Sequence, residues 1–181
     1  MRKLIETTFI TLDGVVSSPE KFAAPYFDEE YAEYARELLF AADALLLGRK
    51  TYEIFAPVWP NMEEVEGEYA VRMNSLPKYV ASRTLTNADV TWNATVIDGD
   101  VAKEVARLKE QPGQNILKFS TGDLDRTLLA HKLVDEYHFW MFPVIAGSGD
   151  RLLASIDTTH LQLTRTTPLA SGVVVLTYTP K

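Results

Sequence analysis

The stretch Ala44-Leu45-Leu46-Leu47-Gly48-Arg49-Lys50-Thr51-Tyr52 decides how the rest of the chain is read. Four apolar residues are too few for a helix of their own and suit a strand buried on both faces. Gly48 follows at once and lets the chain turn with no Cβ in the way. Arg49 to Phe55 then reads as the first turns of a helix. A buried strand, a glycine and a helix start carrying two cations and a hydroxyl suit an anion, because free backbone N–H groups and the positive end of the helix dipole face it. Taken alone, the stretch is equally a core strand, an ordinary turn and a surface arginine, so the flanking chain has to decide.

Working outward, the same order recurs. Lys3 to Thr11 is β-branched and aromatic, reads as a strand, and runs into Leu12-Asp13-Gly14. Asp13 has two readings: part of an Asp-Gly turn, or a carboxylate at the carboxyl end of a strand, where open α/β sheets place ligands. Phe27 to Ala41 has helical spacing with Asp28 as its N-cap. Beyond the opening stretch, Pro57 and Pro60 fix a loop around Trp59, which either covers the core or edges a pocket. Glu63 to Ser75 is helical in pattern, weakened by Gly67. Leu76 to Ala81 reads as a strand that runs into Ser82-Arg83-Thr84, and Thr91 to Ile97 as another. Asp98 or Asp100 caps a helix over Val101 to Glu110, closed by Pro112-Gly113. Asn115 to Phe119 is a strand leading through Ser120-Thr121-Gly122-Asp123-Leu124 into a helix over Asp125 to His131. Leu133 to Phe142 reads as a long strand, followed by the glycine turn Gly147-Ser148-Gly149. His160 to Thr167 and Gly172 to Thr179 alternate at period two, which predicts a terminal antiparallel hairpin.

Strands alternating with helices predict an α/β fold. It would be a single domain over residues 1–181, with a mostly parallel central sheet, helices on both faces and an antiparallel C-terminal hairpin. Composition narrows the function. A net charge of −7 argues against a nucleic-acid binder, although a local cluster of arginines can still hold an anion. With no cysteine there is no disulfide, thiolate metal site or thiol nucleophile. His131, His138 and His160 are not spaced as a metal-binding pair, so no metal is expected. No apolar run is long enough to span a membrane, and the start does not read as a signal peptide, so a cytoplasmic protein is expected.

Three strand ends carry anion-friendly groups: Gly48-Arg49-Lys50-Thr51, Ser82-Arg83-Thr84 and Ser120-Thr121-Gly122. Parallel strands end on one edge, so one extended ligand with several phosphates suits them, a dinucleotide above all. Arginines in two separate turns favour NADP over NAD. Neither the Gly-x-Gly-x-x-Gly fingerprint nor a Walker-type loop is present.

With Leu12-Asp13-Gly14, Leu47-Gly48-Arg49-Lys50-Thr51-Tyr52, Ser82-Arg83-Thr84-Leu85, Ser120-Thr121-Gly122-Asp123-Leu124, Leu133-Val134-Asp135-Glu136 and Pro143 to Leu152 in this order, the chain resembles the dihydrofolate reductase-like superfamily. The closer resemblance is to the branch related to the C-terminal reductase domain of the riboflavin-biosynthesis deaminase–reductase. It implies an NADPH-dependent reductase of a small, heterocyclic substrate, and a homodimer. By analogy, Gly48, Arg49, Lys50 and Thr51 would meet the cofactor phosphates, and Ser82 and Arg83 the adenosine 2′-phosphate. Ser120, Thr121, Gly122, Asp123 and Leu124 would form the turn beside the pyrophosphate, with Ser120 standing where relatives often have glycine. Asp13 is expected to face the substrate as the catalytic polar group, with Tyr52, Phe55 and Trp59 as pocket walls, while Asp135 and Glu136 are expected to be structural. Two alternatives remain. One is the riboflavin-pathway reductase of a ribosylaminopyrimidine phosphate, for which only Lys21 and Arg151 suggest a further phosphate contact. The other is a non-catalytic NADP(H)-binding oligomeric protein.

Overall fold

The computed structural model describes residues 1–154 and 156–181. In chain order the main elements are β1 (Leu4–Thr11), α1 (Glu29–Phe40), β2 (Ala42–Gly48), α2 (Arg49–Phe55), α3 (Glu63–Glu66), α4 (Glu68–Ser75), β3 (Lys78–Ala81), β4 (Ala94–Val96), α5 (Val101–Glu110), β5 (Asn115–Phe119), α6 (Asp123–Ala130), β6 (Glu136–Phe142), β7 (Leu161–Pro168) and β8 (Val174–Pro180). The fold is α/β, mostly parallel, with an antiparallel C-terminal hairpin, as the alternation predicts. The described residues group into two compact units: Met1–Leu4 with Arg36–Phe119, and Ile5–Ala35 with Ser120–Lys181.

In the first unit the strands lie in the order β4-β3-β2-β5, every pair parallel. Leu45, Leu46 and Leu47 are fully buried, as a strand covered on both faces requires. Each buried leucine contributes roughly 2 kcal/mol of transfer free energy. Asp100 caps α5, accepting from the amides of Ala102 and Lys103 at 2.9 and 3.2 Å. The expected helix over Glu63–Ser75 is broken into α3 and α4 at Gly67, whose φ of 53° no helix accommodates. Near the amino end of the chain, buried Arg2 reaches the Asp43 carboxylate and the Gln114 carbonyl, and Asp43 accepts the Gln114 amide at 2.8 Å. Gly113, at φ 148°, passes so close to the Asp43 carboxylate that a Cβ would collide with it.

In the second unit the order is β1-β6-β8-β7, with β1 and β6 parallel and the last two pairs antiparallel. The aromatic run of β6 is core. Trp140 packs edge-on against Phe9 and Tyr34, with ring centroids 5.7 and 5.0 Å away, and its indole N–H donates to the Thr7 hydroxyl at 2.8 Å. Asp28 accepts the Tyr31 amide at 2.8 Å and so starts α1 as expected.

β6 begins at Glu136 and not at Leu133. The reason is the ending of α6. Lys132 adopts a left-handed φ of 51°, its amide donates to the Leu129 carbonyl, and the Leu133 amide donates to the Leu128 carbonyl. This is a Schellman ending with lysine where glycine is usual, so the sequence carries no glycine to announce it. Replacing Lys132 with glycine should relieve the strained conformation and stabilise the protein by roughly 0.5–1 kcal/mol after the added freedom of the unfolded chain is counted. Gly113→Ala should do the reverse, by about 1–3 kcal/mol, because strain and collision with Asp43 coincide. Urea midpoints of the two variants, moving in opposite directions from the parent, check both.

Candidate functional site

The first unit brings two of the expected loops together. β2 and β3 are hydrogen-bonded neighbours running the same way, and Gly48 lies opposite Ala81. The chain therefore leaves β2 at Arg49 and β3 at Ser82 side by side on the carboxyl edge of the sheet. Gly48 has φ −71° and ψ 158°, an extended conformation open to any residue, and a Cβ built there would meet nothing within 4 Å. Neither backbone nor packing within the chain calls for glycine here, and the space beside it is open. Arg49 pairs with Glu53 one turn along α2 at 3.1 Å, both half exposed. The side chains of Lys50, Thr51 and Arg83 have no hydrogen-bond or ion-pair partner among the described residues. The Ser82 hydroxyl accepts from the amides of Thr84 and Leu85 at 3.1 and 3.0 Å, folding residues 82–85 into a tight turn with Arg83 on its exposed side.

The three aromatic wall candidates separate. Phe55 and Trp59 lie together, ring centroids 6.1 Å apart, and extend into a row with Phe119 and Tyr69. Phe119 ends β5, beside β2, and its place in the row was not foreseen, because an aromatic at a strand end looks like any core residue. Tyr52 is buried, and its hydroxyl accepts the Thr91 amide at 2.8 Å. It ties α2 to the segment before β4.

The second unit holds Asp13 and the turn Ser120–Leu124. Asp13 Oδ1 accepts from the Thr11 hydroxyl at 2.6 Å and the Ala146 amide at 3.0 Å, and Oδ2 from the Gly147 amide at 2.8 Å. The Thr11 hydroxyl first, then the two amides, pull its pKa down to about 2. Such a carboxylate has no proton to give near neutrality, and both oxygens serve the protein's own loop. Around it, Leu12 donates to Val144, Val16 to Asp150, and Leu152 to Gly14, while Arg151 reaches the Asp13 carbonyl. Gly149, at φ 139°, packs against Val15 and Ser17 with no room for a Cβ. The glycine turn after β6 is therefore clasped to the turn after β1, with Asp13 as the clasp. Pinning of Ala146 and Gly147 had no local signal, since the contacts join residues more than 130 positions apart.

Ser120 sits at φ 66°, the left-handed region that glycine occupies freely. Gly122, by contrast, is extended at φ 176°, and its amide donates to the Asp125 carboxylate. Thr121 is half-buried, Asp123 is exposed at the first position of α6 and Leu124 is half-buried behind it. Among the described residues no cluster of three or more His, Cys, Asp or Glu could hold a metal, and no helix is long and apolar enough to cross a membrane.

The model of the RibD C-terminal domain family matches residues 2–175. The chain belongs to this family. It is 28% identical over 183 residues to the uncharacterised protein YyaP of Bacillus subtilis (strain 168), covering 98% of this chain and 94% of that one. Among solved structures, a Shewanella sp. PV-4 protein associated with riboflavin biosynthesis superposes with a TM-score of 0.74 at 20% identity, covering 99% of each chain. Dihydrofolate reductase from Enterococcus faecalis, solved with NADP(H), gives a TM-score of 0.63 at 17% identity over 99% of this chain and 96% of that chain. The RibD C-terminal domain thus shares the dihydrofolate reductase fold here.

If Asp13 is a clasp, Asp13→Asn should loosen the loop it pins, because an amide N–H would face a backbone N–H. Hydrogen exchange at Ala146 and Gly147 should speed up, with exchange in the β2–β3 ladder unchanged.

Proposed function

We propose that the chain is an NADPH-dependent reductase that delivers hydride to a small heterocycle. The observation that carries this reading is the pair of adjoining strand ends at Gly48 and Ala81. There, open space beside Gly48 lies next to Lys50, Thr51 and Arg83, whose side chains have no hydrogen-bond or ion-pair partner among the described residues. Membership of the RibD C-terminal domain family and the fold shared with a dihydrofolate reductase solved with NADP(H) support the same cofactor. Bound NADPH supplies the hydride. The Gly48–Thr51 segment binds its phosphates, with Lys50 and Arg49 as cations and Thr51 as hydroxyl donor. Arg83, held outward by the Ser82 turn, binds the 2′-phosphate, whose planar match to a guanidinium separates NADPH from NADH. Asp13 positions a loop and does not donate a proton.

Fluorescence titration of the full chain with NADPH and NADH tests the assignment. Arg83→Ala should weaken NADPH about tenfold or more, the scale of one lost charge-assisted hydrogen bond, and leave NADH nearly unchanged. Arg49→Ala should weaken both. Equal affinity for NADPH in the parent and both variants would remove the site, and cofactor binding without NADPH oxidation across a panel of heterocycles would remove the activity.

A further inference from the structure

Away from these loops, the second unit contains a polar chain, buried at its centre and open at its ends, that the proposed reaction does not use. Arg165 on β7 donates through Nη2 to the Tyr34 hydroxyl at 2.8 Å. That hydroxyl lies 2.8 Å from Nδ1 of His138, and Nε2 of His138 lies 2.7 Å from the Glu136 carboxylate. Tyr34 belongs to the first half of α1, and Glu136 and His138 to β6. His138 is 1% exposed and Tyr34 7%.

The protons in this chain can be placed by counting. A guanidinium only donates, so Tyr34 accepts from Arg165. With Nδ1 of His138 bare, the single Tyr34 proton goes to it, and Nε2–H goes to Glu136. Every proton then has an acceptor. The other neutral tautomer would set the bare Nε2 lone pair against a carboxylate. The imidazolium would point Nδ1–H at a hydroxyl already accepting from Arg165, and would leave the buried Tyr34 proton with no acceptor among the described residues. Only the neutral Nε2–H form satisfies the geometry.

We infer that Arg165–Tyr34–His138–Glu136 is a one-way hydrogen-bond chain that holds His138 neutral and latches the first half of α1 to the C-terminal hairpin, and that a proton on His138 opens it. The charged groups facing the imidazole are Glu136 from its own strand and Arg165 from β7; α1 contributes the Tyr34 phenol. Its neighbours across the sheet are uncharged: Thr7 on β1, which is bonded to Trp140, and Thr177 on β8. Burial first, and Arg165 in addition, lower the His138 pKa against the opposing pull of Glu136. A lowered folded pKa means that the unfolded chain takes up the proton first. The latch is whole above about pH 6.5, the ordinary histidine value, and stability falls as pH drops from there toward the folded pKa.

This inference does not depend on the proposed activity. In a His131→Gln/His160→Gln background, which changes two exposed positions, His138 is the sole imidazole. Nitrogen-15 spectra of the full chain should show Nδ1 bare and Nε2 protonated at neutral pH, with titration below the ordinary histidine range. Amide exchange at residues 31–35 and 163–167 should rise roughly fivefold to tenfold as His138 titrates, the scale of one lost hydrogen bond. Tyr34→Phe and Arg165→Met should each raise the His138 pKa, and Glu136→Gln should lower it. An Nδ1–H tautomer, a pKa at or above the ordinary value, or protonation that leaves exchange in both segments unchanged would overturn the latch. Shifts of one sign in all three variants would do the same.

Discussion

Between β2 and β3 the backbone hydrogen bonds form a parallel ladder, and a parallel ladder has a direction. Residues Leu45 to Gly48 match Lys78 to Ala81, so both strands release their chain on the same edge. A parallel pair also requires a long crossover, here the chain from α2 through α4, and burial on both faces. The three fully buried leucines meet the second requirement. Two polar turns that are about thirty residues apart in sequence thereby become neighbours in space. In the second unit the parallel pair β1 and β6 does the same, with Thr11 opposite Phe142, and the turns that follow are clasped to one another through Asp13.

The two edges use charge differently. The chain carries 18 lysines and arginines against 25 acidic residues. Arg2 is held by Asp43, Arg107 by Glu104, Arg151 by a backbone carbonyl and Arg165 by Tyr34. Lys50 and Arg83 lie on adjoining turns, their side chains without a hydrogen-bond or ion-pair partner among the described residues. Around Asp13 the opposite holds: an anion accepts three hydrogen bonds from its own strand end and the facing loop. A carboxylate at a strand end is thus assigned by its donors, since the same residue type in the same place suits either role.

Much of the fold was legible because it depends on local rules. The Leu45–Leu47 run, the Asp28 and Asp100 caps and the alternating C-terminal strands each carry their own signal, and each element formed where it was expected. The start of β6 was not legible, because Lys132 takes the left-handed place that a glycine would have marked. Ser120 is a second such place, left-handed with no glycine to mark it. The proximity of the Gly48 and Ser82 turns followed from strand alternation. The long-range contacts of Asp13 and Tyr52 did not, because Ala146, Gly147 and Thr91 are distant in sequence and bond through backbone atoms, which leave no trace in residue type. His138 read as an ordinary histidine for the same reason: its meaning lies in Tyr34 and Arg165, on two other elements.

What occupies the edge beside Gly48 decides whether this protein is a reductase of the proposed kind. A crystal structure of the full chain grown with NADPH tests this most directly. The expected result is cofactor phosphates against the amides and side chains of residues 48–51, with the 2′-phosphate on Arg83. Cofactor bound elsewhere, or a fully ordered edge with no cofactor at saturating NADPH, would contradict it.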